Sequence, residues 1–168
     1  MDKRDNMITV QNAVKKYGKG ENELYALNHV DLNIGKGDIC VILGPSGSGK
    51  STLLNMLGGL DSLDEGTIVV DGVDITKLGR KELVEYRRKK IGVVFQSYNL
   101  IAELNVQENI RVVQDISENP LPIEELLKDL GLAQHAGHFP TELSGGQQQR
   151  CAIGRALVKN PALLLCDE

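Results

Sequence analysis

The sequence predicts an α/β fold, and three observations carry that prediction. Apolar runs at Ile39-Cys-Val-Ile-Leu43, Ile91-Gly-Val-Val-Phe95 and Ala162-Leu-Leu-Leu-Cys166 show no alternation, as central strands covered on both faces do. Helical runs lie between them, opened by capping residues and closed by glycines. The length of 168 residues, with 41% hydrophobic and 25% charged residues, fits a single domain able to bury a substantial core.

The elements follow in order. Residues 7–14 and 28–34 read as strands. In the second, Val30, Leu32 and Ile34 alternate with Asp31 and Asn33, so one face is wet. Gly35-Lys-Gly37-Asp38 is a turn, and the strand at 39–43 runs straight into a glycine-rich loop. A helix carrying Leu53, Leu54, Met56 and Leu57 follows and ends at Gly58-Gly59. Residues 67–70 form a short strand closed by the turn pair Asp71-Gly72. After Gln96 the texture changes. Asn105-Val-Gln-Glu108 has the pattern of a capping box, Pro122 suits a first helical turn, and Gly131 suits a helix end. Residues 97–142 are therefore expected as a small helical lobe inserted between two core strands. Ser144 is expected to cap a helix reaching about Val158, and Pro161 separates it from the last strand.

Composition removes several function classes. A net charge of −4 argues against a general nucleic-acid binder. The basic cluster Arg80, Lys81, Arg87, Arg88, Lys89 and Lys90 is interleaved with Glu82 and Glu85 and reads as a solvated helix face. Cys40, Cys151 and Cys166 sit among apolar or small residues, form no C-x-x-C pair and have no zinc-type spacing to His29, His135 or His138; buried reduced thiols are expected. No apolar run approaches the ~20 residues that cross a bilayer, so any membrane role is expected to pass through a partner.

Three segments carry chemistry. Gly44-Pro-Ser-Gly-Ser-Gly-Lys50-Ser51 matches G-x-x-x-x-G-K-[ST] in full. Glycines let backbone N–H groups turn inward around phosphate oxygens, and the helix start adds partial positive charge. Lys50 reaches the β- and γ-phosphates, and Ser51 offers a hydroxyl to Mg²⁺. Asp167 and Glu168 end an apolar strand, where an aspartate holds Mg²⁺ and the neighbouring glutamate is placed to activate water. Leu143-Ser-Gly-Gly-Gln147 opens a helix and exposes N–H groups to an anion; a plain glycine-containing helix cap explains the same residues.

Gly44–Thr52, Gln96 after a strand, Leu143–Gln147 continuing as Gln-Gln-Arg150, and Leu163–Glu168 stand in the order seen in ATP-binding-cassette ATPases. The chain resembles that family over essentially its whole length. Leu53-Leu-Asn-Met-Leu-Gly-Gly-Leu-Asp61, Phe95-Gln-Ser-Tyr-Asn-Leu-Ile101 and Leu104-Asn-Val-Gln-Glu-Asn109 are similar to the branch that powers lipoprotein release, macrolide export and antimicrobial-peptide resistance.

The resemblance implies a P-loop NTPase core with an antiparallel β subdomain and an inserted α-helical lobe. It implies ATP and Mg²⁺ as ligands. The nucleotide would be held by Tyr17 stacked on adenine, by Gly44, Pro45, Ser46, Gly47, Ser48, Gly49, Lys50, Ser51 and Thr52, and by Ser144, Gly145, Gly146 and Gln147 of a second subunit. Ser51, Gln96 and Asp167 would hold the metal. Glu168, Gln96 and Lys50 would carry hydrolysis. A homodimer or pseudo-dimer of head-to-tail cassettes and an integral-membrane permease are implied as partners, with no nucleic acid. The expected location is cytoplasmic, peripheral on the inner face of the cell membrane.

Cassettes of this kind continue for several tens of residues past the catalytic glutamate, so the chain is expected to lack the C-terminal part of the domain. As an isolated 168-residue chain it is expected to be catalytically poor and aggregation-prone. A non-transport ATPase of the same family is an alternative, as is a nucleotide-binding chain without turnover. Chromosome-type relatives insert long coiled coils between the positions of Gln96 and Leu143. Here 46 residues lie between them, and no heptad stretch is present.

Overall fold

The computed structural model describes residues 5–167. They fall into two compact units, Met1–Val84 and Glu85–Glu168. The first is built on an antiparallel sheet. Strand β1 (Asn6–Tyr17) lies between β2 (Leu24–Gly35) and β3 (Glu65–Val70), and the short β4 (Val73–Asp74) flanks β3. Ile8, Val10, Val14, Ile68 and Val70 are buried, while Gln11 and Asn12, where the register of β1 shifts against both neighbours, face water. Helix α1 (Lys50–Leu57) buries Leu53, Met56 and Leu57. Its end has the predicted glycine chemistry. Gly59 takes φ 62°, and the N–H groups of Gly59 and Leu60 donate to the carbonyls of Met56 and Asn55, a Schellman closure.

Residues 39–43 differ from expectation. They form no strand, and Ile39, Val41 and Leu43 are 97%, 73% and 86% exposed. The apolar run supplies β-propensity, but a strand exists only where a neighbour takes up its N–H and C=O groups. Among the described residues this segment has no such neighbour.

In the second unit β5 (Ile91–Val94) and β6 (Leu163–Cys166) pair in parallel, with Ile91 opposite Leu163 and Val94 opposite Cys166. Helix α2 (Arg80–Lys90) begins in the first unit, crosses the boundary at Glu85 and runs into β5. Its basic end is an ion-paired surface: Arg88 and Lys89 reach Glu85 and Glu118, as the interleaved charges predict. Helix α3 (Val106–Gln114) carries the predicted capping box between Asn105 and Glu108. Helix α4 (Ile123–Asp129) starts one residue later than expected, with Pro122 as its N-cap, and Gly131 closes it in a left-handed turn. Helix α5 (Gly145–Leu157) packs on α3 around Val106, Ile110, Leu127, Leu132, Cys151 and Val158. Burial pushes the Cys151 thiol up to about 11, so it stays a neutral core group. The expectation of buried thiols fails at the other two: Cys40, in the unpaired 39–43 segment, and Cys166, at the end of β6, are exposed free thiols.

Candidate functional site

The loop Gly44–Ser48 is exposed and leads into α1. Gly47 and Gly49 adopt φ 77° and 88°, a region that favours glycine. Gly49 is fixed twice over, because a Cβ there would run into the Ala26 carbonyl of β2. The Ser48 N–H donates to the Pro45 carbonyl at 3.2 Å. Lys50 Nζ donates to the carbonyls of Gly44 (2.8 Å) and Pro45 (2.9 Å), so its ammonium is held on the loop that precedes it. Ser51 and Thr52 occupy the first turn of α1. That helix opens at Gly49 with no side-chain cap. Its start therefore offers N–H groups and a partial positive charge in the way phosphate requires.

Tyr17 ends β1 and is 44% exposed. Its hydroxyl donates to Asp61 Oδ2 at 3.1 Å, and Lys15 Nζ donates to Asp61 Oδ1 at 3.0 Å. Lys15 Nζ lies 5.3 Å from the centre of the Tyr17 ring, within cation–π range. Burial pushes the Asp61 carboxyl up. The hydrogen bonds from Lys15, the Ser62 N–H and Tyr17 outweigh it and hold Asp61 below the ordinary carboxylate range. A depressed carboxyl contributes stability that is complete above its unfolded pKa, ~3.9, and is lost as pH falls through the lower folded value. Urea unfolding at pH 7 and near pH 3 should therefore show a smaller acid loss in Asp61→Asn than in the parent. An equal loss in both would remove Asp61 as the anchor of Tyr17.

In the second unit Gln96 and Asp167 sit beyond the C-terminal ends of β5 and β6. The Asp167 N–H donates to the Val94 carbonyl at 3.0 Å, which extends the parallel register by one step and brings the two residues to one edge. That edge is where ligands bind in parallel α/β sheets. Gln96 is exposed. Glu168 lies outside the described residues.

The segment Ser144–Gln147 opens α5 with a capping box. The Gln147 N–H donates to Ser144 Oγ at 3.3 Å, and the Ser144 N–H donates to Gln147 Oε1 at 2.7 Å. Gly145 and Gly146 are exposed, and a Cβ on Gly145 would meet open space. Neither position needs glycine for its backbone or packing.

The family model described as ABC transporter matches residues 27–168. The chain belongs to the ATP-binding-cassette family. The cassette is 44% identical over 172 residues to the ABC transporter ATP-binding protein YtrE of Bacillus subtilis, covering 96% of this chain and 74% of that protein. It is 45% identical over 171 residues to the ABC transporter ATP-binding protein MJ0796 of Methanocaldococcus jannaschii, covering 96% and 73%. The macrolide export ATP-binding/permease protein MacB of Neisseria meningitidis is 41% identical over 167 residues, covering 96% of this chain and 26% of that protein. The solved dimeric structure of MJ0796 superposes with a TM-score of 0.86 at 43% identity, over 95% of this chain and 73% of that one. Its post-hydrolysis dimer bound to ADP and Pi gives 0.85. The P-loop α/β fold with an antiparallel β-sheet and the ATPase class of the cassette follow from these matches.

Two supporting residues of the cassette carry no motif. Arg155 on α5 donates from its two terminal nitrogens to the carbonyls of Tyr98 and Asn99, both at 2.7 Å. Those two residues follow Gln96 and adopt φ 59° and 49°, costly for non-glycine residues. Burial lowers the Arg155 pKa. The fully buried Asn109 staples the next stretch, accepting from the Ile101 N–H and donating to the carbonyls of Ile101, Leu104 and Asn105. Together these two side chains hold the loop that carries Gln96. Arg155→Met should cost about 1.5–3 kcal/mol in denaturant unfolding and speed amide exchange at residues 96–101. Unchanged exchange there would separate Arg155 from the loop.

Proposed function

We propose that this cassette binds MgATP and hydrolyses it between two head-to-tail subunits to drive a membrane permease. The observation that supports this most is the contrast between the two glycine-bearing helix starts. The start of α1 has no side-chain cap and carries Lys50, so it is built to hold phosphate itself. The start of α5 is closed by its own Ser144–Gln147 box yet presents Gly145 and Gly146 outward, as a surface for a phosphate held elsewhere.

In this reading the loop N–H groups and Lys50 grip the β- and γ-phosphates, and Tyr17 offers its ring to the adenine. Ser51, Gln96 and Asp167 supply hydroxyl, amide and carboxylate oxygens, the hard donors that suit Mg²⁺. When bound, Mg²⁺ neutralises charge on the phosphate oxygens. Glu168 accepts a proton from the attacking water as the new bond to the γ-phosphorus forms. The bond to the bridging oxygen breaks, leaving ADP and phosphate. Lys50 stabilises the charge that develops.

The proposed cargo is lipophilic or peptide-like and is exported or released, as the resemblance at Leu53–Asp61, Phe95–Ile101 and Leu104–Asn109 suggests. MacB, named for macrolide export, supports this class. Import is the second reading, because the methionine import ATP-binding protein MetN of Vibrio vulnificus is 42% identical over 167 residues. Among the described residues no helix is long and apolar enough to cross a membrane. The proposed position is thus peripheral, on the inner membrane face, through a permease. Co-purification with the permease and reconstitution in vesicles tests the direction. Stimulation of ATPase activity by a lipophilic or peptide cargo presented on the cassette side supports export, and stimulation only by a cargo on the opposite side contradicts it.

A further inference from the structure

We propose that His135 and His138 form a pH-sensitive positioning relay for the helix start at Ser144–Gln147, an inference that rests on the ATPase reading of that segment. His138 Nδ1 and His135 Nδ1 are 3.2 Å apart, with the rings edge-on at 5.0 Å between centroids. His135 Nε2 is 3.0 Å from Gln147 Nε2. Gln147 Oε1 in turn accepts from the Ser144 N–H. The chain of contacts thus runs His138, His135, Gln147, Ser144.

Donor and acceptor rules fix every proton in it. Gln147 Oε1 is committed to Ser144, so the Gln147 NH₂ group faces His135 and Nε2 of His135 must accept. His135 then carries its proton on Nδ1 and donates to Nδ1 of His138, which must also accept. The relay closes only while both imidazoles are neutral. An added proton has two destinations. On His135 Nε2, it sets an N–H against the Gln147 NH₂ group. On His138 Nδ1, the contact between the rings survives only if His135 moves its own proton from Nδ1 to Nε2, with the same result. The Gln147 amide must then turn its oxygen to His135, and the Ser144 N–H loses its acceptor. Protonation of His135 therefore opens the capping box directly, and protonation of His138 opens it where the contact between the rings is kept.

The surroundings keep the pair in place and leave it open to protons. The His138 and Ala136 carbonyls accept from the Val106 and Gln107 N–H groups at the start of α3. His138 is exposed and His135 half-buried. The charged groups on the elements packed around them are Glu108 and Arg111 of α3, Glu124, Glu125, Lys128 and Asp129 of α4, Glu142 of the turn before Leu143, and Arg150 and Arg155 of α5. None makes an ion pair with either ring among the described residues. Histidine is the side chain that ordinarily changes charge between pH 5 and 8, which sets the range the test covers.

The test uses the full-length protein and two readouts. By NMR, the Gln147 side-chain amide and the Ser144 backbone amide should shift together between pH 8 and 5. ATPase activity should fall over the same midpoint. His135→Gln keeps an acceptor for Gln147 and does not titrate, so it should keep activity at pH 8 and flatten both profiles. His135→Ala should lower activity at every pH. Amide signals that stay fixed in the parent, or move equally in His135→Gln, overturn the relay. Signals that move as expected beside identical ATPase profiles overturn its link to hydrolysis. A parent protein with no ATPase activity at any pH sinks the ATPase reading instead, while the amide shifts still decide the relay.

Discussion

Lys50→Ala is expected to weaken MgATP binding by about 1.5–3 kcal/mol, roughly 10- to 150-fold in Kd. The reason lies in what the side chain does and does not hold. Its ammonium donates to the Gly44 and Pro45 carbonyls, so it is tethered beside the loop N–H groups proposed to bind phosphate. Those two bonds are to neutral oxygens. A doubly charged phosphate is a stronger acceptor, and charge-assisted bonds are about twice as strong as neutral ones. The alanine variant keeps the glycine conformations at 47 and 49, so the fold should be retained. Isothermal titration on the full-length protein checks this. Binding within threefold of the parent would mean that the loop N–H groups alone hold the phosphates.

Glu168→Gln should behave in the opposite way. ATP binding should be preserved, because the amide is the same size and removes a negative charge near a polyanion. Hydrolysis should fall by about 10²–10⁴, the range that a positioned general base contributes. Single-turnover measurement at saturating ATP separates the two effects. A variant that binds normally and hydrolyses at the parent rate would exclude Glu168 as the base.

The parts of the fold legible in the sequence are those set by local chemistry. The Asn105–Glu108 box, the Ser144 cap and the Gly131 helix end each act over three or four residues, and the structure has all three as expected, with Gln147 closing a box at Ser144 as an addition. The glycine loop at 44–49 is legible for the same reason. The segment Ile39–Leu43 was not, because its apolar run states a propensity while strand pairing depends on distant backbone. The site supports were equally hidden. Arg155 reaches carbonyls 56 and 57 residues away, and His135 meets Gln147 across 12. Spacing in the sequence marks neither pair. The capping pattern at Ser144 hinted at the second, since an N3 glutamine whose oxygen closes the box must point its NH₂ group somewhere.

The central claim is that ATP joins two cassettes, each supplying one glycine-bearing helix start to the other's nucleotide. Light scattering on the full-length Glu168→Gln protein, with and without ATP, tests it most directly. The mass should double with ATP. Adding Gly145→Asp should leave ATP binding intact and keep the protein monomeric, because a carboxylate at that exposed helix start suits the helix dipole but repels a phosphate brought in by a partner. A mass that ignores ATP, in a sample shown by titration to bind it, would contradict the account.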